Sequence, residues 1–180
     1  MKNILVLGGT GFVGRQVCAK LAHAGWRITV PSRHVNTGNP LRNVPQSEVV
    51  EADVHDEAAL TRLMAGRDAV VNLVAILHGS EGAFDKVHVE LPQKIARACA
   101  AAGVRRLVHI SALGAALDAP SMYQRSKARG EAALQAAAAA GTLDLTLLRP
   151  SVIFGAHDKF LNVFAQLQRL APFVPLAGAE

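Results

Sequence analysis

The stretch Ile4-Leu5-Val6-Leu7-Gly8-Gly9-Thr10-Gly11-Phe12-Val13-Gly14 decides the fold. Four consecutive apolar residues make a strand buried on both faces, the pattern of a parallel sheet. Glycines spaced Gly8-x-x-Gly11-x-x-Gly14 follow at once and lead into a helix expected over Gly11–Ala24, closed by Gly25. A strand that turns through glycines into a helix presents backbone N–H groups and the positive end of the helix dipole to whatever sits at the turn. Without Cβ atoms the backbone can approach a pyrophosphate closely. Gly8, Thr10, Gly11, Phe12, Val13 and Gly14 are therefore the candidate phosphate cradle of a dinucleotide.

Outward from the turn, short apolar runs keep alternating with helical ones. Strands are expected at Arg27–Val30, Glu48–Ala52, Ala69–Ala75, Leu107–Ile110 and Leu143–Leu148. Helices are expected over Asp56–Ala65, Pro92–Ala102 and Ser121–Ala140, with Gly66, Gly103 and Gly141 at their ends. Residues 34–47, with Pro40 and Pro45, read as a loop. Six strands joined by helical crossovers predict an α/β, doubly wound parallel sheet in the order 3-2-1-4-5-6, with helices on both faces.

Composition narrows the class. The 180 residues, 51% hydrophobic and 18% charged, fit one domain with a packed core rather than a disordered chain. The net charge of +5 is scattered, and its densest groups, Arg105-Arg106 and Arg125/Lys127/Arg129, are too small for a nucleic-acid stripe. Cys18 and Cys99 each lie in an apolar helical run with no Cys or His at ligand-like spacing. Reduced thiols and no metal site are expected. No stretch has the length of a signal-peptide core or a membrane span, so the expected location is cytoplasmic.

The end of the second strand speaks to the cofactor. NAD-binding sites usually carry a carboxylate there for the ribose 2′-hydroxyl. Here the chain reads Val30-Pro31-Ser32-Arg33-His34, offering a hydroxyl and a guanidinium instead. Ser32 and Arg33 suit a 2′-phosphate, so NADP(H) is the expected dinucleotide, with NAD(H) as the lesser ligand.

The chain has one tyrosine, with a lysine four residues on: Tyr123-Gln124-Arg125-Ser126-Lys127. On a helix that spacing puts both side chains on one face. A free phenol is a poor base at neutral pH; lowering its pKa by about 3 units takes roughly 4 kcal/mol of charge stabilisation, part of which Lys127 could supply. Lys127 would also reach the nicotinamide ribose. Ser111, closing the fifth strand, stands where ligands gather in open α/β sheets and could bond a substrate oxygen. Ser111, Tyr123 and Lys127 are the candidate catalytic set.

From the glycine turn through Tyr123 and Lys127 the chain resembles the atypical, extended short-chain dehydrogenases/reductases, an NAD(P)-binding Rossmann family. More narrowly it is similar to bacterial relatives of the nucleotide-binding accessory subunit of respiratory complex I. That similarity rests on Ser111-Ala112-Leu113-Gly114-Ala115, on Tyr123–Lys127 with Gly130-Glu131, on Leu148-Arg149-Pro150-Ser151-Val152-Ile153-Phe154-Gly155, and on Asp158-Lys159-Phe160-Leu161-Asn162. The resemblance implies that Asp53 and Val54 flank the adenine and that Leu73, Val74 and Ala75 line the dinucleotide. It also implies that Pro150, Ser151, Val152 and Ile153 approach the nicotinamide. By residue chemistry alone, Asp53 could equally cap the helix that follows.

Two departures stand out. Many extended members carry Asn in the helix after the fourth strand, where this chain has Val87-His88-Val89, and His88 reads as a packed or solvated histidine. By the resemblance, family members also continue into a C-terminal substrate-binding region, which residues 1–180, read as a single Rossmann domain, are expected to lack. Phe160, Val163, Phe164, Leu167 and Leu170 would form an apolar helix face without its usual partner, so either the sequence is a fragment of a longer protein or that face is fitted to a protein partner or to self-association. Three functions stay open: hydride transfer to or from a carbonyl or alcohol; a non-catalytic nucleotide-binding structural or assembly protein of a respiratory complex, peripheral on the inner face of a membrane; and a sugar-nucleotide epimerase or dehydratase. The small-molecule substrate is not legible.

Overall fold

The computed structural model describes residues 2–35, 41–155 and 158. Its strands are β1 (Asn3–Leu7), β2 (Arg27–Ser32), β3 (Ser47–Glu51), β4 (Ala69–Asn72), β5 (Arg106–Ile110) and β6 (Asp144–Leu148). They form one parallel sheet in the order β3-β2-β1-β4-β5-β6, as the alternation of runs predicts. β1 lies at its centre, with Ile4 opposite Ile28 on one side and Ala69 on the other. Alternate residues of β1 serve opposite faces. Leu5 and Leu7 join Leu60, Met64, Leu91, Ile95 and Leu134, while Ile4 and Val6 join Cys18, Ala22, Ile28 and Val30.

Helix α1 (Phe12–His23) covers the second of these faces; α2 (Glu57–Met64), α4 (Leu91–Ala102) and α5 (Met122–Ala139) cover the first. A short α3 (Glu81–Asp85) precedes α4. Side-chain caps start three of them: Asp56 accepts from Ala58 and Ala59, Ser80 from Ala83, and Ser121 from Gln124. Gly103, in the left-handed conformation at φ 71°, ends α4.

The structure departs from the sequence expectation beside Pro92. A helix was expected to begin there; instead the helical rod starts at Glu81 and reaches α4 through a π-helical stretch, Lys86–Glu90. Pro92 has no N–H to give the carbonyl of His88 one turn back, and a widened turn accommodates that gap. β4 is also shorter than expected, ending at Asn72 rather than Ala75, because Asn72 Oδ1 takes the Val74 N–H (3.1 Å) and bends the chain off the sheet. β2 is longer, running to Ser32. Phe160, Val163, Phe164, Leu167 and Leu170 lie outside the described residues. No helix among the described residues is long and apolar enough to cross a membrane.

Candidate functional site

In a parallel sheet all strand C-termini reach one edge, and every sequence-predicted site residue stands on a segment leaving that edge or opening a helix beside it. The cradle is backbone. Gly8 turns at φ 78°, and its carbonyl accepts the Gly11 N–H at 3.0 Å. A Cβ on Gly14 would lie 2.2 Å from the Gly8 carbonyl oxygen, so only glycine lets α1 start so close to the end of β1. Thr10, Phe12 and Val13 complete the turn. Gly11 at the N-cap provides no side-chain cap, and no acidic residue occupies the first turn of α1. Unshared N–H groups and a positive dipole end fit a pyrophosphate.

The flanking segments close on this turn. A Cβ at Gly8 would come within 3.1–3.2 Å of Leu73 and Val74, so the loop after β4, with Leu73, Val74 and Ala75, rides over the cradle. Pro150, Ser151, Val152 and Ile153 follow β6, and Pro150 accepts from the Leu113 N–H at 2.9 Å. Gly155 reaches back to the ring of Phe12. Val152 and Ile153 are exposed. Asp53 and Val54 follow β3; Asp53 Oδ1 accepts from the His55 N–H (2.9 Å) and makes a local turn, while the cap of α2 is Asp56. At the end of β2 the Ser32 hydroxyl is engaged with the His34 backbone, whereas Arg33 is exposed. Burial lowers the His55 pKa; Asp53 opposes this, and Lys86, Lys94 and Arg33 add to it.

The Ser111, Tyr123 and Lys127 set sits at the ends of β5 and the start of α5. Lys127 is buried, and its Nζ donates to the Ile110 carbonyl at 2.7 Å, one residue before Ser111. Burial pulls its pKa down to about 8, opposed by Glu131 one turn on. Ser111 is 4% exposed, and its Oγ has no hydrogen-bond partner. A buried hydroxyl without a partner is costly unless a ligand completes it. Tyr123 is half-buried, and that burial raises its pKa. The expected lowering by Lys127 is absent from this geometry, where the ammonium is tied to Ile110.

Five residues around this set escaped the sequence reading of function. His88 is buried, bonded to Ile76 and Ser126, and its ring meets that of Tyr123 at 5.4 Å. Asn72 Nδ2 bonds His109 Nδ1 at 3.0 Å. Burial, aided by Lys127, lowers His88 to about 4; burial, Lys127 and His88 lower His109 to about 3. Buried Glu131 pairs with Arg149, joining α5 to the segment that carries Pro150. A polar residue within a buried strand, as at Asn72 and His109, was the available signal, and so was the Glu131 spacing from Lys127.

Residues 4–170 match the NAD dependent epimerase/dehydratase family. The chain is 31% identical over 175 residues to NADH dehydrogenase [ubiquinone] 1 alpha subcomplex subunit 9, mitochondrial, of Dictyostelium discoideum, covering 94% of this chain and 48% of that protein. It is also 31% identical over 175 residues to a ceramide reductase of Caulobacter vibrioides, covering 96% of this chain and 53% of that one. It thus spans about half the length of these curated relatives. A dTDP-glucose 4,6-dehydratase from Streptomyces venezuelae, solved with NAD bound, superposes with a TM-score of 0.80 at 24% identity, over 94% of this chain and 62% of that one, and shares the fold.

Proposed function

Because the chain belongs to the NAD dependent epimerase/dehydratase family, we propose that it binds NADP(H) in preference to NAD(H) and supports hydride transfer to or from a carbonyl or alcohol. Gly8–Gly14 holds the pyrophosphate, Asp53 and Val54 flank the adenine, and Leu73, Val74 and Ala75 line the dinucleotide. Pro150, Ser151, Val152 and Ile153 border the nicotinamide. Bound there, a reduced nicotinamide supplies the hydride to a carbonyl carbon. Ser111 Oγ donates a hydrogen bond to the carbonyl oxygen, and the Tyr123 phenol gives that oxygen its proton. Lys127, held to the Ile110 carbonyl by one ammonium hydrogen, reaches the ribose hydroxyls with the others.

The observation that carries this reading is Ser111: a buried hydroxyl with no protein partner, at a strand end, beside the lysine that anchors to the preceding carbonyl. Tyr123→Phe, assayed beside the unaltered protein for dinucleotide-dependent turnover of carbonyl and alcohol substrates, tests it. Turnover should vanish while dinucleotide affinity stays within a few-fold; unchanged turnover would sink the catalytic assignment.

Arg33 supports the cofactor preference, since it is exposed just past the end of β2, and the run Val30–His34 carries no carboxylate to bond a 2′-hydroxyl or repel a 2′-phosphate. Charge-assisted bonds to that phosphate correspond to about ten- to hundredfold tighter binding. Calorimetric titration of this chain with NADPH and NADH should show that gap, and Arg33→Ala should remove most of it. Equal affinities in the wild-type chain would refute the preference. The similarity to a mitochondrial NADH dehydrogenase subunit favours a second reading, a nucleotide-binding accessory protein whose dinucleotide stabilises the fold without turning over. Peripheral membrane association belongs to that reading, and intact function after Tyr123→Phe would select it.

A further inference from the structure

We propose that His88 is a positioning residue for Tyr123: a neutral imidazole carrying its hydrogen on Nδ1, it ties the loop leaving β4 to the first turns of α5. The inference rests on the reading of Tyr123 as the proton donor. Both ring nitrogens are assigned by their neighbours. The Ile76 N–H points at Nε2 from 3.1 Å, and a backbone N–H can only donate, so Nε2 holds a lone pair. The Ser126 hydroxyl spends its one hydrogen on the Tyr123 carbonyl at 2.8 Å. Towards Nδ1, at 2.9 Å, it can therefore only accept, and Nδ1 carries the hydrogen. A second proton would have to sit on Nε2, facing the Ile76 N–H. Lys127 from α5 and His109 from β5 add positive or neutral nitrogen to the surroundings and no carboxylate.

The backbone of His88 clamps the same helix at a second point. Its carbonyl, which Pro92 cannot serve, faces Gly130, where a Cβ would lie 1.9 Å from the oxygen. Side chain and carbonyl thus hold α5 at Ser126 and Gly130, on either side of Lys127. The ring fills the space between, edge-on to Tyr123 at 84° and 5.4 Å from Phe84. At the other end, Ile76 follows Leu73–Ala75, the segment over the cradle. One side chain therefore sets the tyrosine and the loop together.

Two variants separate the two bonds. His88→Asn keeps an amide near the Nδ1 position and loses Ile76; His88→Gln keeps an oxygen near the Nε2 position and loses Ser126. Tyr123 is the only tyrosine, so ultraviolet difference titration follows its phenol alone. His88→Gln should shift that titration downward, towards a free phenol, with dinucleotide affinity kept. His88→Asn should leave the titration in place and weaken NADPH binding about two- to tenfold, the loss of one neutral hydrogen bond. Equal effects of both variants on both readouts, or none, would reduce His88 to packing and overturn the proposal. Should either variant misfold, nitrogen-15 NMR of the wild-type chain at neutral pH decides: a protonated Nδ1 and a bare Nε2 are expected, and the other tautomer or an imidazolium overturns it. A failed Tyr123 assignment looks different, as turnover surviving Tyr123→Phe with the His88 tautomer unchanged.

Discussion

The glycine cradle and the buried polar cluster face the same edge of the sheet and are built by opposite means. The cradle is backbone held by the absence of side chains: Gly8 at positive φ, Gly14 against the Gly8 carbonyl, and an uncapped start of α1. The cluster is side chains joined by hydrogen bonds: Ile76 to His88, His88 to Ser126, Ser126 to Tyr123, Asn72 to His109, Lys127 to Ile110. Ser111 alone in that group is left without a partner. The difference teaches where tolerance lies. The cradle fails by steric overlap, which no neighbour can relieve. The cluster fails by losing a hydrogen-bond partner or gaining a proton, which is graded and depends on pH.

The largest expected effect therefore belongs to the cradle. Gly14→Val should abolish dinucleotide binding, because even the first side-chain carbon would overlap the Gly8 oxygen and the Gly9 backbone at 2.2–2.7 Å. Calorimetry on a variant shown folded by circular dichroism checks it. Retained affinity would mean that α1 can back away from β1, and the contrast between rigid cradle and graded cluster would collapse.

Acid should find the cluster next. An unfolded chain takes up protons on histidine near pH 6.5, whereas folded His88 resists to about pH 4 and His109 to about pH 3. Their contribution is whole above pH 6.5 and is lost as the pH falls from there through 4 and then 3. For His88 that loss is roughly 3 kcal/mol at 1.36 kcal/mol per unit. Denaturant unfolding at pH 7.5, 5.5 and 4.5 should show a steady fall in midpoint. A flat profile would show that neither imidazole is held neutral, and the cluster would be as rigid as the cradle.

The same contrast explains what the sequence disclosed. A cradle made of glycine is written in the chain itself, since only glycine meets its backbone demands and its spacing is local. Strand positions were legible in the apolar runs, most clearly where the strand is buried on both faces as in β1 and β4, and the order followed from the helical crossovers between them. The cluster is assembled from β4, the π-helical stretch, β5 and α5, so no local spacing announces it. The helix was read as starting at Pro92; in the folded chain the missing N–H of Pro92 widens the preceding turn and frees the His88 carbonyl to meet Gly130. Tyr123 and Lys127 were legible from their spacing, but the balance at the phenol was not. It turns on where the ammonium goes, and the ammonium goes to Ile110.

The smallest expected effect comes from a two-bonded ion pair whose distances match those in the cluster. Arg97 grips Glu57 with two bonds of 2.9 and 2.7 Å, joining α4 to α2. Arg97 stabilises the Glu57 carboxylate, lowering its pKa. Yet both side chains are exposed, 57% and 39%, so water and salt serve either partner nearly as well once the pair is broken. Arg97→Ala should leave the thermal midpoint within measurement scatter and dinucleotide affinity unchanged, whereas His88→Gln, which breaks a single neutral bond, should move a readout at the site. If Arg97→Ala proved the more damaging of the two, bond geometry rather than burial would set the scale in this fold, and the ranking of cradle over cluster over surface would have to be rebuilt from distances alone.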